Sequence, residues 1–337
     1  MIRLKDIALR LGVSAMTVSK ALRDEPDVSA ATKTKVKKLA AQLGYVPNAA
    51  ARSLRAKSTC MFGLVIPSLI NPIFARVVMA LEERAHEMGW EIIIAQSLNR
   101  ADREENCIRR LLSRRVNGIF LSPVYRIEAH APIYEELRRQ QTPVVILGHR
   151  ALFCERFSNV ETDDIAASRA TTQHLLSLGH RKIACFIGPP FAPWAQERFE
   201  GYRQAMSEAG IPLDDQLIFQ AGSTIEEGQA AALEMINEST PATAIQATND
   251  LVAIGAANTF LAQGVQIPRD LSIAGFGNIL TSEHYRIPLT TVRQPKYRQG
   301  IAAMETMQNL LDGKPNELKR LPSELIIRQS TGPVPRS

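Results

Sequence analysis

A break at Gly12-Val13-Ser14, between two short runs of helical period, constrains the start of this chain more than any other feature. Before it, Leu4, Ile7, Ala8 and Leu11 recur on one helix face. After it, Ala15 to Leu22 reads as a second short helix with Val18 and Leu22 turned inward. Two short helices joined by a tight glycine-containing turn make a helix-turn-helix. A third helix follows: Ser29 is placed to cap it, Val36, Leu39, Ala40 and Leu43 form its apolar stripe, and Gly44 ends it. The predicted core of this head is Leu4, Ile7, Leu11, Val18, Leu22, Val36, Leu39 and Leu43.

Charge is concentrated in the same segment. Residues 1–58 hold twelve Lys and Arg against four acids, a balance of +8 in a chain whose total is +6. A basic module on a near-neutral body is the electrostatic footprint of a nucleic-acid binder. In a helix-turn-helix the second helix enters the major groove, and residues near its start reach base edges. Ala15, Met16 and Lys20 therefore sit where sequence is read. Ala and Met can touch a thymine methyl, and Lys can donate to guanine. Thr17, Ser19 and Arg23 are placed for the phosphate backbone, which positions a protein without specifying sequence, and Ser14 is a further candidate DNA contact.

Pro47 stops the third helix, and Asn48 can cap a fourth running Ala49 to Arg55. With its cap this is about eight residues, too few for a helix to stand alone in water, where roughly 12–15 are needed. This segment either folds when packed against a twin and DNA or is a plain linker. In the first case Leu54, on an otherwise small and basic helix with Ala51, Arg52 and Arg55, suits a wedge between base pairs in the minor groove.

From Met61 the pattern changes to short apolar runs alternating with amphipathic helices. Phe62–Ile66, Glu91–Ala95, Gly118–Leu121, Val144–Leu147, Ile183–Ile187, Ala244–Ala247 and Ser272–Ala274 read as strands. Helices are expected near 73–88, 101–114, 130–140, 164–178, 194–209, 225–237, 250–263 and 296–311. Such alternation means parallel sheets covered on both faces, and the length accommodates two. Ligands on these sheets bind beyond the carboxyl ends of the strands. Those ends supply Asn71, Phe74, His149, Arg198, Asn249 and Asp250 as candidate ligand contacts.

Several function classes find no support in the sequence. There is no GxGxxG after the first strand and no GxxxxGK[ST], so nucleotide phosphates have no cradle and no cofactor is indicated. Cys60, Cys107, Cys154 and Cys185 lack metal-ligand spacing, so no metal is expected. The six histidines are scattered and no catalytic set emerges, which speaks against an enzyme. The chain opens without an apolar signal core and has no run long enough to cross a bilayer, so a cytoplasmic protein with no membrane partner is expected.

The runs Leu4-Lys5-Asp6-Ile7-Ala8, Gly12-Val13-Ser14, Thr17-Val18-Ser19 and Gly44-Tyr45-Val46-Pro47-Asn48 resemble the head of the lactose/galactose repressor (LacI/GalR) family. Ala51-Arg52-Ser53-Leu54 resembles its hinge. The likeness continues through Arg115-Val116-Asn117-Gly118, Leu178-Gly179-His180-Arg181, Arg198-Phe199-Glu200-Gly201-Tyr202, Thr248-Asn249-Asp250 and Leu289-Thr290-Thr291-Val292-Arg293-Gln294-Pro295.

The resemblance implies an all-α helix-turn-helix head over residues 1–47, a hinge over 48–58 and an α/β body over 61–337. The body would be two doubly wound parallel-sheet subdomains, like periplasmic binding proteins: 61–160 with 292–321, and 161–290 with 322–332. It further implies a homodimeric repressor on double-stranded, pseudo-palindromic operator DNA, controlled by a small-molecule effector, a sugar or sugar derivative. By the same resemblance Ala15, Met16 and Lys20 fall on base-reading positions, Leu54 on the wedge, and Ala51 and Arg55 on minor-groove contacts. Arg198 falls on the arginine that holds the effector, with Asn249 and Asp250 facing it. The chain departs from the family at Gly148-His149 and Gly277, where many members carry acids. It also lacks an aromatic near Ser223, a place that Phe191 or Trp194 could fill. A relative that binds DNA without effector control is the competing reading.

Overall fold

The computed structural model describes residues 2–46 and 58–335. Asn48, Ala51, Arg52, Leu54 and Arg55 lie outside the described residues. The chain divides into two compact units, Met1–Thr59 and Cys60–Ser337.

The first unit holds three helices, α1 (Leu4–Leu11), α2 (Ala15–Leu22) and α3 (Ala30–Gln42). Gly12 ends α1 at φ 63°, a left-handed conformation that costs glycine no side-chain clash. Ser14 and Ser29 cap α2 and α3 through their hydroxyls. The core is Ile7, Ala8, Val18, Ala21, Val28, Val36 and Ala40, edged by half-buried Leu4, Leu11, Leu22, Leu39 and Leu43. This corrects the expected core in two ways. Ala21 joins Val18 in the buried core, while Leu22 packs at its edge, since positions three and four residues on share one helix face. Ala15, expected outside, packs partly against the core.

The second unit carries two six-stranded sheets. One comprises β1 (Met61–Ile66), β2 (Glu91–Gln96), β3 (Gly118–Leu121), β4 (Val144–Leu147), β5 (Ser158–Thr162) and β11 (Leu318–Leu321). It is parallel throughout, in the order β11-β5-β4-β3-β1-β2. The other comprises β6 (Ile183–Ile187), β7 (Ile218–Gln220), β8 (Ala244–Ala247), β9 (Ser272–Gly277), β10 (Thr290–Arg293) and β12 (Glu324–Ile326). Its order is β12-β10-β9-β8-β6-β7, with only the β10–β12 pair antiparallel. The head with two α/β sheets matches the fold class expected from sequence. Five strands, β5, β7, β10, β11 and β12, were announced by no apolar run.

Helices cover both faces of each sheet. Phe62, Leu64 and Ile66 of β1 meet α4 (Ala75–Glu87) and α12 (Lys296–Leu311) on one face. Val65 meets α5 (Ala101–Ser113) and α6 (Pro132–Arg139) on the other, as the two-residue strand period requires. The second sheet packs α9 (Ile225–Asn237) and α10 (Asp250–Ala262) on one face. On its other face lie α7 (Asp164–Ser177) and α8 (Pro193–Glu208). A short α11 (Leu280–His284) follows β9.

The chain passes between the sheets three times: β5 to α7, β10 to α12 and β11 to β12. The connectors run side by side. Asp163 N donates to Leu321 O at 3.0 Å, and Gln294 Nε2 donates to Thr162 Oγ1 at 3.1 Å.

Candidate functional site

In the head, the N-terminal turns of α2 and α3 border one groove lined by Ser14, Met16, Thr17, Lys20, Asp27, Ser29 and Thr32. Met16 is 68% exposed although apolar, in keeping with a contact residue rather than a core one. Ser14 Oγ accepts from Thr17 N at 3.0 Å, fixing the start of α2. Ser19 is half-buried. Lys20 and Arg23 are not bare cations. Lys20 Nζ donates to Asp27 Oδ2, and Arg23 Nη2 lies 2.8 Å from Glu25 Oε1. The hydrogen bond and the charge of Asp27 raise the Lys20 ammonium above its ordinary range, and the same hydrogen bond lowers the Asp27 carboxyl. The α2–α3 loop therefore supplies counter-charges that the sequence reading did not connect to the reading helix.

In the second unit, a cavity of about 200 Å³ opens where strands of both sheets end. Asn71 and Phe74 (after β1), Asn99 (after β2), Ser122 and Tyr125 (after β3) and His149 (after β4) line one wall. Trp194 and Arg198 (α8), Ser223 (after β7), Asn249 and Asp250 (after β8) and Phe276 (β9) line the other. All six residues anticipated from the strand ends line this cavity, three in each wall.

Arg198 is the centre of the second wall. Its Nε donates to Asp164 Oδ2 at 2.8 Å and its Nη1 to Thr248 O at 2.7 Å. The guanidinium is held between two rings, 3.8 Å from the Phe276 centroid and 4.7 Å from that of Trp194. Trp194 thus supplies the aromatic missing near Ser223, while Phe191 lies in a different groove. Asp164 was missed from sequence because an acid in a first helical turn reads as a response to the helix dipole. The cap itself is Asp163, which accepts from Ala166 N at 3.1 Å.

Asn249 caps α10 by accepting from Val252 N at 2.8 Å, and its Nδ2 donates to Ser223 O at 3.0 Å. Asp250, the neighbouring candidate contact, has both carboxylate oxygens engaged within the protein. Its oxygens accept from Ile279 N at 2.9 Å, from Ser282 Oγ at 2.6 Å and from Thr291 Oγ1. It braces the wall instead of presenting an open acceptor. Two buried oxygens beside the cavity have no hydrogen-bond partner among the described residues: Gln294 Oε1, which lines it, and Thr248 Oγ1, next to Arg198. Gln294 belongs to a run the resemblance had singled out, yet was not named as a contact.

His149 reaches across the cleft. Its Nε2 lies 3.1 Å from Glu197 Oε2, and Arg320 of β11 donates to the other oxygen of Glu197 and, at 2.8 Å, to Glu161. Burial acts most strongly on His149 and lowers its pKa, but the Glu197 hydrogen bond with the charges of Asp164, Glu197 and Glu161 outweighs it, and the net shift is upward. Burial raises the Glu197 carboxyl, but His149 and Arg320 outweigh it and hold it below the ordinary range.

The two glycine departures leave main-chain carbonyls inside the site. Gly148 (φ 111°) gives its oxygen to Asn159 Nδ2 at 3.2 Å. Gly277 (φ 131°) gives its oxygen to Lys296 Nζ, which also donates to Asn278 O at 3.0 Å. Burial pulls that ammonium down to about 8.

Among the described residues no cluster of His, Cys, Asp and Glu could hold a metal, and no helix is long and apolar enough to cross a membrane. Cys154 and Cys185 are buried, and burial pushes the Cys154 thiol up to about 11. His180 is structural: its ring bonds Thr243 Oγ1 at 2.9 Å and Gly332 O at 3.0 Å.

Residues 172–331 match the periplasmic binding protein-like domain, and residues 3–48 match the family described as bacterial regulatory proteins, lacI family. The HTH-type transcriptional regulator DegA of Bacillus subtilis is 34% identical over 98% of this chain and 98% of its own. The HTH-type transcriptional repressor CytR of Escherichia coli K12 is 31% identical over 98% of this chain and 97% of its own. Among solved structures, the Lac repressor dimer bound to operator and the anti-inducer ONPF superposes with a TM-score of 0.87 at 26% identity, covering 98% of this chain and 99% of that one. These relatives are regulators of transcription and not enzymes. A helix-turn-helix head, two α/β sheets around a cleft and a likeness spanning the whole chain place this protein in the lacI family of DNA-binding transcriptional regulators.

Proposed function

We propose that this chain is a cytoplasmic repressor that binds a pseudo-palindromic operator as a homodimer and is switched by a neutral, hydroxyl-rich small molecule of the sugar class. Residues 1–47 act as the reading head, 48–58 as the hinge and 61–337 as the effector and dimerisation body. Two heads lay their α2 helices in successive major grooves, with Ala15, Met16 and Lys20 at base edges and Ser14, Thr17, Ser19 and Arg23 on phosphates. Asn48, Ala51, Arg52, Leu54 and Arg55 form paired hinge helices in the central minor groove, where two Leu54 side chains open a flexible step. The operator-bound dimer among the similar structures supports this arrangement. So does a group of exposed apolar residues, Leu69, Ile70, Met79, Ile94 and Leu98, on or beside β1, β2 and α4.

Arg198 is the observation that carries the effector reading. It stands at the cleft with its charge already balanced by Asp164 and with Trp194 beside it. A ligand therefore meets hydrogen-bonding edges and an apolar ring face without a net charge to neutralise. Asn71, Phe74, His149, Arg198 and Asn249 contact it, Gln294 offers an unused acceptor, and Asp250 holds the wall behind them. The effector changes the angle between the two sheets and so the spacing of the two hinges. It can shift DNA affinity only as far as it favours one arrangement, roughly 1–3 kcal/mol.

Selection of bound duplexes from a random pool by the full-length protein tests the reading. An inverted repeat whose binding responds to a sugar is expected. Recovery of no inverted repeat overturns the operator reading, and a repeat indifferent to every sugar, sugar acid and nucleoside overturns the effector reading.

A further inference from the structure

The acids of the head have an unusual distribution. Of the four in residues 1–58, three fall in the stretch Asp24-Glu25-Pro26-Asp27, within the loop between α2 and α3. Each engages a cation in or next to the flanking helices. Asp24 bonds Lys37 Nζ at 2.6 Å and gives its main-chain oxygen to Lys33 at 2.9 Å. Glu25 pairs with Arg23 at 2.8 Å, and Asp27 holds Lys20. Among the described residues, Lys20 is the only Lys or Arg lining the groove between the starts of α2 and α3, and Asp27 is the only acid there. The carboxylate lies among the hydroxyl caps Ser14, Thr17, Ser29 and Thr32, at the electropositive ends of two helices, where a backbone phosphate would otherwise be drawn.

We propose that Asp27 is a specificity-determining residue of the reading head: its carboxylate acts as a built-in counter-ion for Lys20 that suppresses binding to DNA lacking the cognate base. This rests on the operator reading above. The argument is one of charge accounting. On a duplex with no acceptor within reach of Lys20, the Lys20–Asp27 pair presents no net charge and releases no counterion. It contributes nothing to affinity, while the carboxylate repels nearby phosphates. On a cognate half-site, guanine O6 or N7 offers Lys20 a second acceptor, and contacts on either side of it hold the head against that repulsion. The carboxylate therefore penalises the wrong sequence more than the right one. Its effect is on the ratio of affinities, which is what specificity means. Asp27 touches no base in this account and acts through Lys20.

The test uses full-length protein and two duplexes: an inverted repeat selected by the wild type from a random pool, and a scrambled duplex of the same length. Asp27→Asn keeps the shape and removes the charge. Binding to the scrambled duplex is expected to tighten roughly three- to tenfold, with the salt slope steeper by about 0.9, the value for one more effective cation. Binding to the selected repeat should change by less than about twofold, so the ratio falls. In a Lys20→Gln background, Asp27→Asn should move both duplexes equally. An unchanged ratio and slope overturns the proposal. So does a loss confined to the selected repeat, which would mean that Asp27 aims Lys20 at its base. Equal weakening on both duplexes, as from a damaged loop, overturns it too. If the wild type selects no inverted repeat, the operator reading fails first and this one with it, a result visible before any variant is made.

Discussion

Arg198 and Asp164 form a buried pair, Nε to Oδ2 at 2.8 Å, that links α8 to the start of α7 beneath the cleft. The Asp164 side chain is fully buried and that of Arg198 nearly so. Thr162 Oγ1, at the end of β5, donates to the same carboxylate. The pair therefore ties the effector wall to a point where the chain crosses between sheets.

Removing one partner leaves the other charge buried and alone. Asp164→Ala should destabilise the protein by about 3–5 kcal/mol. The urea midpoint of unfolding reports it. Replacing both, Arg198→Met with Asp164→Leu, should recover most of that loss, since a buried ion pair adds little net stability over well-packed apolar groups. The double variant should nevertheless lose the effector response. Retention of that response would place the effector away from Arg198.

Trp194 gives the cleft a flat apolar face beside Arg198. Trp194→Leu should weaken effector binding by about tenfold or more, equivalent to about 1.4 kcal/mol. DNA binding without effector should stay as it is, because the ring is not part of the head. Thermal-shift titration with the active sugar measures the first quantity, and anisotropy on the selected duplex the second.

The His149–Glu197 contact should make the body sensitive to pH. The raised pKa of His149 means that its stabilisation is complete below the ordinary 6.5 and is lost as pH climbs through the raised value. The lowered pKa of Glu197 means that its contribution is complete above the ordinary 4.5 and is lost as pH falls through the lowered value. Asp164, Glu161 and Arg320 surround the pair and belong to the same balance. The difference in Tm between wild type and Glu197→Gln should be greatest in mildly acidic buffer and shrink toward pH 9. A difference that grows with pH would contradict the assignment.

Gly255 lets α10 rest directly on α9: a Cβ there would stand 2.1 Å from Ile225 O and 3.0 Å from Gln229 N. Backbone cannot step aside as a side-chain tip can. Gly255→Ala should cost about 1–3 kcal/mol by overpacking, read as a lower urea midpoint. The left-handed Gly12 meets no atom within 4 Å, so Gly12→Ala tests backbone strain alone and should cost less.

The body was legible where burial is apolar. Val144–Leu147 and Gly118–Leu121 are unbroken apolar runs, and each forms a fully buried strand. Ser158–Thr162 is just as buried, yet its side chains are mostly polar, so periodicity gave no sign of it. Those side chains are used in bonds to residues 11 to 159 positions away: Asn159 with Gly148, Glu161 with Arg320, and Thr162 with Gln294. The cleft showed the same division. Strand ends pointed to Asn71, Arg198 and Asn249 because the rule concerns topology. Whether a carboxylate such as Asp250 stays open depends on partners 29 to 41 residues away, which no local pattern records.

The three sheet-to-sheet connectors are one or two residues long and lie next to each other. Three short parallel straps restrain two rigid plates in nearly every direction, leaving rotation about the line of the straps as the soft one. Energy released by a bound molecule then has a single mechanical outlet, much as a door with three aligned pins can swing but not slide. Severing one strap would not part the plates. It would add a sideways wobble, and the swing would no longer be the only way for the body to yield.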